Sequence, residues 1–217
     1  MMEDDAIVDN LLSWADKNGR DFPWRSVQDP YHLAAAEILL QRTKAQDAES
    51  VWLELIRCFP SPKTLIQAPD MEVQKIVGKL GLGNQRTQRL KSMASSIMAF
   101  DEEGFLPGLG SYGIQIILLS LGKKSQTIPV DTNIARIICR YYGLSFEQGE
   151  ARKKPEVRSI VKKLLNVRKR TADKLRIIYA LVDFGAIICT SVKPRCSICL
   201  LSPGCSFTER SSCTPEI

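Results

Sequence analysis

The stretch Leu106-Pro107-Gly108-Leu109-Gly110 lies shortly ahead of residues 114–121, whose apolar spacing is typical of a helix. We call residues 106–110 the glycine hairpin. Its two glycines, one residue apart, allow a tight turn whose backbone can approach a ligand closely. The helix that follows begins with unpaired backbone N–H groups, which can bind an anion. The stretch therefore predicts a phosphate-binding turn or an ordinary turn between helices, and it lacks the Gly-Lys-Ser/Thr ending of a nucleotide P-loop.

Helical spacing of apolar residues extends along most of the chain. Alternating polar and apolar runs bounded by hairpin turns, the pattern of strands, are missing. The sequence therefore predicts an all-α fold with eight to ten helices. The apolar segments that carry this prediction are residues 7–14, 33–40, 51–56, 73–80, 90–98, 114–121, 134–142 and 177–188.

The composition predicts a compact globular protein with a concentrated basic region. The chain has 217 residues, 44% of them hydrophobic, and a formal net charge of +6. Residues 151–176 hold eleven Lys or Arg and only two acids. This region predicts either a polyanionic partner or the solvated face of a helix.

The N-terminal sequence and the lengths of the apolar runs bear on location. Met1-Met2-Glu3-Asp4-Asp5 is acidic where a secretory signal would be basic. No uninterrupted apolar run approaches the roughly 20 residues that a membrane span needs. We therefore expect a soluble cytoplasmic protein without a secretion signal or membrane contact, associated with the nucleoid if the source is prokaryotic.

Seven cysteines are present, and a cytoplasmic chain keeps thiols reduced. We expect Cys58 and Cys139 to be small buried hydrophobes, and Cys213 is unconnected to any pattern. The other four are separated by six, two and five residues and can converge on one soft metal centre. Their spacing favours a [4Fe–4S] cluster but leaves structural zinc open, and the four residues are Cys189, Cys196, Cys199 and Cys205.

Asp131 directly precedes the helical pattern of residues 134–142. Asp is a favoured helix N-cap, and capping alone is one explanation for it. The positive end of the helix also favours a negatively charged carboxylate. Such an anion is what an oxocarbenium-like sugar requires, so Asp131 is a candidate catalytic residue.

Together, the glycine hairpin, Asp131 and the four-cysteine tail resemble the helix-hairpin-helix DNA glycosylase superfamily. Residues 21–25 and 37–43 are similar to the opening of its adenine and mismatch thymine/uracil branches. The cysteine spacing resembles that of endonuclease III-like members, which implies a [4Fe–4S] cluster rather than zinc. The resemblance covers nearly the whole chain.

The resemblance implies an all-α fold of two helical lobes with the DNA cleft between them. Residues 27–124 would form a six-helix barrel lobe that contains the helix-hairpin-helix motif. Residues 1–26 and 125–217 would form the iron–sulfur cluster lobe. The implied partner of this monomer is double-stranded DNA with a mismatched or damaged base.

The resemblance also assigns roles to individual residues. Asp131 matches the catalytic aspartate, and Glu37 matches the acid that protonates the leaving base or orients water. Glu37 lies in an apolar stretch, where an acid is unusual. Gln41 matches a residue that wedges into the duplex. The DNA-binding residues implied are Gln41, Arg42, Gly108, Gly110, Ser111 and Asn133.

Tyr112 decides the implied reaction type. Bifunctional members carry a lysine there, whose amine forms a Schiff base with the sugar and leads to strand cutting. A phenol cannot form a Schiff base, so we expect a monofunctional glycosylase that flips out its base and hydrolyses the N-glycosidic bond.

Residues 81–86 resemble the mismatch branch, and the chain ends twelve residues after Cys205, without the extra C-terminal domain of adenine glycosylases. We therefore expect thymine or uracil opposite guanine as substrate. One alternative is an adenine DNA glycosylase acting on A·G or A·oxidised-G. Another is a non-catalytic iron–sulfur DNA-binding protein, against which the presence of both Glu37 and Asp131 argues.

Overall fold

A computed structural model describes residues 2–100, 105–123, 127–145 and 150–210. Within these ranges the regular structure is entirely helical, which confirms the predicted all-α class. No helix in the described ranges is both long enough and apolar enough to cross a membrane.

Eleven α-helices occur in the described residues, and they are numbered in chain order. They are α1 (Asp4–Asn18), α2 (Pro30–Leu39), α3 (Ala45–Cys58), α4 (Pro62–Gln67), α5 (Asp70–Val77), α6 (Gly83–Ile97), α7 (Ser111–Ser120), α8 (Thr132–Tyr142), α9 (Pro155–Asn166), α10 (Thr171–Ile187) and α11 (Ser206–Arg210). Short 3-10 turns lie at Pro23–Arg25, Gly78–Leu80, Ala151–Lys153 and Cys196–Ile198.

Three of these helices, α4, α9 and α11, lie outside the eight apolar segments. The Pro-rich stretch before α4 is a helix start, because Pro62 occupies the first turn and Ser61 and Thr64 form a capping box. The α9 helix buries Val157 and Val161 beneath its basic residues. The predicted eight to ten helices are therefore too few.

The described chain divides into two compact units, which we call terminal and central. The terminal unit comprises Met1–Arg20 and Gln126–Ile217, and the central unit comprises Asp21–Ser125.

In the central unit, α2 is almost wholly buried. Its consecutive residues Ala34, Ala35 and Ala36 are at most 2% exposed, as are Ile38 and Leu39. A helix that is apolar on all sides is stable only when neighbours surround it, and small alanines let those neighbours approach closely. The α2 helix therefore fixes Glu37, its one charged side chain, as a half-buried group beside the core of this unit.

In the terminal unit, α1 packs against α10. Trp14 and Phe184 meet edge to face with ring centroids 5.1 Å apart. Asp183 of α10 is only 1% exposed, and it accepts hydrogen bonds from Arg20 N (2.8 Å) and Arg20 Nε (2.7 Å). A buried carboxylate needs such pairing, so this contact fixes the end of α1 on α10.

The basic region 151–176 is divided between structural and solvated roles. Arg168 pairs with Asp9 of α1, and Arg176 Nη2 lies 2.7 Å from Asp16 Oδ1. Lys162, on α9, is exposed to solvent, as is its neighbour Lys163. Some of the positive charges thus form ion pairs within the protein, and others are exposed to solvent, where a partner can reach them.

Two cysteine predictions are tested by burial. Cys58 is exposed, so its prediction as a buried residue is wrong. It ends α3, and the next residue, Phe59, enters the core in its place. Cys139 on α8 is half-buried. Cys213 lies outside the described residues.

Candidate active site

Asp131 is the N-cap of α8, as its position in the sequence predicts. Its Oδ1 accepts a hydrogen bond from the Ile134 N–H at 2.8 Å, and its Oδ2 accepts one from Asn133 Nδ2 at 2.9 Å. Both oxygens therefore have a fixed donor, and the carboxylate has a defined orientation.

Opposing influences act on the ionisation of Asp131. Burial raises the pKa of this carboxyl above its ordinary value, because the charged form loses water. The hydrogen bonds from Ile134 and Asn133, and the charge of Arg136, lower the pKa in part. The net direction of the pKa is upward, so burial outweighs these stabilising contacts.

Asn133 is fixed in turn by Arg136. Arg136 Nη2 donates to Asn133 Oδ1 at 2.8 Å and to Gly185 O at 2.7 Å, while its Nε donates to Cys189 O at 2.7 Å. The start of α8 comes this close to α10 only because residue 185 is glycine: a Cβ on Gly185 would lie 2.7 Å from the Asn133 Cβ. The end of α10 and the start of α8 are thereby joined around the Asp131 carboxylate.

The glycine hairpin forms a turn in which the Leu109 N–H donates to Leu106 O at 3.1 Å. Gly108 occupies its third position with φ +82°, the left-handed region that a type II turn requires there. Gly110 is the N-cap of α7 and has no capping side chain. A Cβ at Gly110 would meet nothing within 4 Å, so this backbone is open to a ligand.

Glu37 and the first turn of α7 meet in the central unit. A Cβ on Gly113 would lie 3.2 Å from Glu37 Oε2 and 3.2 Å from its Cγ, so the carboxylate packs directly on the α7 backbone. Tyr112 is half-buried, and Ser111, the first residue of α7, is exposed. Two predicted catalytic residues, Glu37 and Tyr112, therefore belong to adjoining elements.

Arg86 is a buried residue that the sequence analysis did not single out. It is 5% exposed, and its guanidinium donates to Ile38 O (3.0 Å), Gln41 O (3.0 Å) and Gly81 O (3.1 Å). Burial, and then the charge of Arg89, lower its pKa. Arg86 binds carbonyls at the end of α2 and fixes the turn that carries Gln41.

Leu82 and Arg42 are exposed, and each directly follows a residue whose carbonyl Arg86 binds. Leu82 follows Gly81, adopts φ +52° and is 57% exposed, an unusual state for a large apolar side chain. Arg42 follows Gln41 and adopts φ +56°. Leu82 was not predicted as a site residue, although its place between two glycines is visible in the sequence.

The four C-terminal cysteines are half-buried. Arg140 of α8 joins two of them, since its Nη1 lies 3.5 Å from Cys189 Sγ and its carbonyl accepts from Cys205 Sγ at 3.7 Å. Burial raises the pKa of the Cys199 thiol, and nearby Cys189 and Cys205 raise it further.

Four soft sulfur donors in one segment fit a thiolate-ligated cluster in type and number. In the described part of the chain, however, no group of three or more His, Cys, Asp or Glu side chains is arranged as a metal-ion site. The predicted iron–sulfur lobe is therefore not confirmed.

Comparison with known proteins identifies the family. Residues 35–169 match the model of the HhH-GPD superfamily base excision DNA repair protein. The chain is 32% identical over 218 residues to a thymine/uracil-DNA glycosylase of Methanothermobacter thermautotrophicus, with 95% of each chain covered. It is 32% identical over 204 residues to an adenine DNA glycosylase of Mycobacterium tuberculosis, covering 88% of this chain and 64% of that one.

A solved structure supports the same relationship. The structure of a thermostable thymine-DNA glycosylase superimposes with a TM-score of 0.80 at 28% identity, covering 96% of this chain and 97% of that one. The resemblance predicted from the sequence is thus confirmed, and the chain belongs to the HhH-GPD superfamily of base excision DNA repair proteins.

Proposed function

We propose that this protein is a monofunctional DNA glycosylase that removes thymine or uracil mispaired with guanine. The observation that carries the proposal is the Asp131 carboxylate, oriented by two hydrogen bonds at the start of α8. A fixed anion of this kind stabilises the positive charge that develops on a sugar as its base departs.

The reaction assigned to these residues is hydrolysis of the N-glycosidic bond. The target nucleotide leaves the duplex, and the bond between sugar and base lengthens. Asp131 stabilises the cationic sugar, and water adds to the anomeric carbon while its proton passes to a carboxylate or to the departing base. Glu37 orients the water or protonates the leaving base. Because Tyr112 has no amine, no Schiff base forms at that position.

The choice of thymine or uracil rests on relatives. Besides the Methanothermobacter protein, relatives from Aeropyrum pernix and Pyrobaculum aerophilum are named thymine-DNA glycosylase and thymine/uracil-DNA glycosylase. An adenine glycosylase is the second candidate, because the Mycobacterium relative has the same 32% identity over a shorter stretch. Gly108, Gly110, Ser111 and Arg42 are the proposed contacts to the DNA backbone.

A panel of duplexes tests the substrate. Oligonucleotides with G·T, G·U, A·G or A·oxidised-G pairs are incubated with excess enzyme and then treated with alkali. We expect cleavage after alkali for G·T and G·U only. Excision of adenine alone would select the second candidate, and excision of no base would indicate a non-catalytic protein.

Borohydride trapping tests the monofunctional reaction. We expect wild-type protein to leave intact abasic DNA and to form no trapped complex. Tyr112→Lys is expected to cut some strands and to become trappable, because it supplies an amine. A wild-type protein that borohydride already traps would show that another amine attacks the sugar.

We also propose that Cys189, Cys196, Cys199 and Cys205 hold a [4Fe–4S] cluster. Support comes from the four thiols, their spacing in one segment, and the nearness of Cys189 and Cys205 to Cys199. When bound, such a cluster crosslinks its segment and keeps the thiols deprotonated. The Arg140 guanidinium then faces the negatively charged Cys189 sulfur.

Metal analysis tests the cluster. We expect about four irons per chain and absorbance near 400 nm, as for Cys-ligated cubanes. Cys199→Ser should lose the iron, whereas Cys58→Ser, on the exposed end of α3, should retain it. Zinc in place of iron would overturn the assignment.

A further inference from the structure

The side chain of Gln41 is held from both ends within the central unit. Its Nε2 donates to Gly108 O in the glycine hairpin at 2.6 Å. Its Oε1 accepts from Arg89 Nη1 at 2.9 Å. The amide thus links the turn after α2 to the hairpin, and Arg89 of α6 completes the link.

Arg89 supports the hairpin through its aliphatic stem. A Cβ at Gly108 would lie 3.1 Å from Arg89 Cβ and 3.4 Å from its Cγ, so the turn rests on this stem. The side chain is nevertheless exposed at its charged end. Arg89 therefore places a guanidinium at the rim of a turn whose backbone is open at Gly110.

The guanidinium of Arg89 has unused binding capacity. An arginine has five N–H donors, and the described contacts use one of them, on a neutral amide. Among the described residues Arg89 forms no ion pair, whereas Arg168 and Arg176 are paired with acids. Nearby Arg86 adds a second positive charge. A phosphate is the ligand that this geometry and charge favour.

We propose that Arg89 is a further DNA-binding residue, which binds a backbone phosphate at the glycine hairpin and positions Gln41 according to whether that phosphate is present. The inference rests on the proposed function, because it requires duplex DNA. In the free protein Arg89 and Gly108 hold Gln41. When a phosphate reaches the hairpin, the guanidinium turns to it, and Gln41 keeps only its bond to Gly108 O, which leaves its side chain freer to turn toward the duplex.

The exchange follows from the relative strengths of the bonds. A guanidinium–phosphate contact is charge-assisted and often bidentate, so it is stronger than the bond to a neutral amide. Gln41 loses its bond from Arg89 only when the phosphate offers Arg89 a stronger acceptor. Phosphate binding at the glycine hairpin and the mobility of the Gln41 side chain are therefore linked.

The first test measures the salt dependence of duplex binding. Arg89→Met keeps the stem under Gly108 but removes the charge, so we expect the slope of log K against log salt to become less steep by about 0.9. Arg89→Lys should restore the slope, because it restores the charge. Arg57→Met removes an exposed arginine at the far end of α3 and provides the matched control.

The second test follows the Gln41 side-chain amide by NMR in the same proteins. We expect its resonances to move when duplex is added to wild type, and to move in free Arg89→Met without DNA. Thermal melting verifies that each variant is folded.

The outcomes separate this inference from the proposed function. Wild-type protein that binds no duplex would overturn the function itself. Duplex binding with an unchanged slope in Arg89→Met, or a slope that Arg89→Lys fails to restore, would overturn the phosphate contact. Gln41 resonances that are identical in free and bound wild type would overturn the positioning of Gln41.

Discussion

Asp131 and Glu37, the two carboxylates assigned to catalysis, differ in what lies directly against them. Asp131 in the terminal unit is oriented by hydrogen bonds from Ile134 and Asn133. Glu37 in the central unit is confined by packing against the backbone at Gly113. Hydrogen bonds fix the direction in which a carboxylate points, and packing limits the space that it can occupy. Asp131 should therefore be sensitive to the loss of its donors, and Glu37 should be sensitive to atoms added at Gly113.

Asp131→Asn tests the polar side of this comparison and has the largest expected effect. Asn caps a helix as well as Asp does, so the fold and the DNA affinity should be retained. The charge opposite the developing cation is lost, so excision should fall by about 10³-fold or more. Single-turnover excision on a G·U or G·T duplex measures the loss.

A matched change to Asn133 sharpens the same test. Asn133→Ala leaves the Asp131 charge in place but removes the donor to Oδ2, so we expect a smaller loss than for Asp131→Asn. Near wild-type excision by Asp131→Asn would show that a different residue stabilises the sugar.

Gly113→Ala tests the packing side. The added methyl would lie 3.2 Å from Glu37 Oε2, so the carboxylate must shift by a few tenths of an ångström. Displacement of a catalytic group is costly, and we expect excision to fall roughly 10- to 100-fold. Alanine favours a helix over glycine by about 1 kcal/mol, which should offset much of the strain in an unfolding experiment.

The double variant Glu37→Ala/Gly113→Ala is the control for that experiment. Glu37→Ala removes the Cγ and Oε2 atoms that lie 3.2 Å from the added methyl and leaves only the Cβ at 3.3 Å. Gly113→Ala should therefore cost little further activity in this background and should raise the melting temperature. An equal activity loss in both backgrounds would contradict the packing role of Gly113.

The sequence predicted what is local and missed what depends on distant contacts. The Asp131 cap was predictable because its partner, Ile134, lies three residues away. Arg86 was not, because its acceptor at Gln41 is 45 residues away. Gly185 similarly matters only because α8 lies against it. The α9 helix was not among the predicted apolar segments, because its lysines dominate the pattern of Val157 and Val161; only the charge of this region indicated a helix face.

Lys162 and Lys163 test whether the basic surface of the terminal unit contributes to DNA binding. Both are exposed, so reversing them to Glu should weaken duplex binding and reduce the salt slope by about 0.9 for each phosphate that the variant no longer neutralises. Arg168→Glu is unsuitable for this purpose, because it would place a negative charge beside Asp9. An unchanged slope would assign the two lysines to the solvated face of α9.

The smallest effect expected is on stability, and it follows from the raised pKa of Asp131. Between the unfolded value of about 3.9 and the higher folded value, the folded protein retains a proton that the unfolded chain has lost. Rising pH therefore lowers the contribution of Asp131 to the free energy of unfolding through this window, and the loss persists at neutral pH. Asparagine does not titrate and can still accept from the Ile134 N–H, although its Nδ2 would face the Asn133 donor. The stability of Asp131→Asn relative to wild type should therefore increase between pH 3.5 and pH 7. Urea unfolding at the two pH values measures the difference. A relative stability that instead falls from pH 3.5 to pH 7 would mean that the hydrogen bonds from Ile134 and Asn133 outweigh burial and lower the pKa of Asp131.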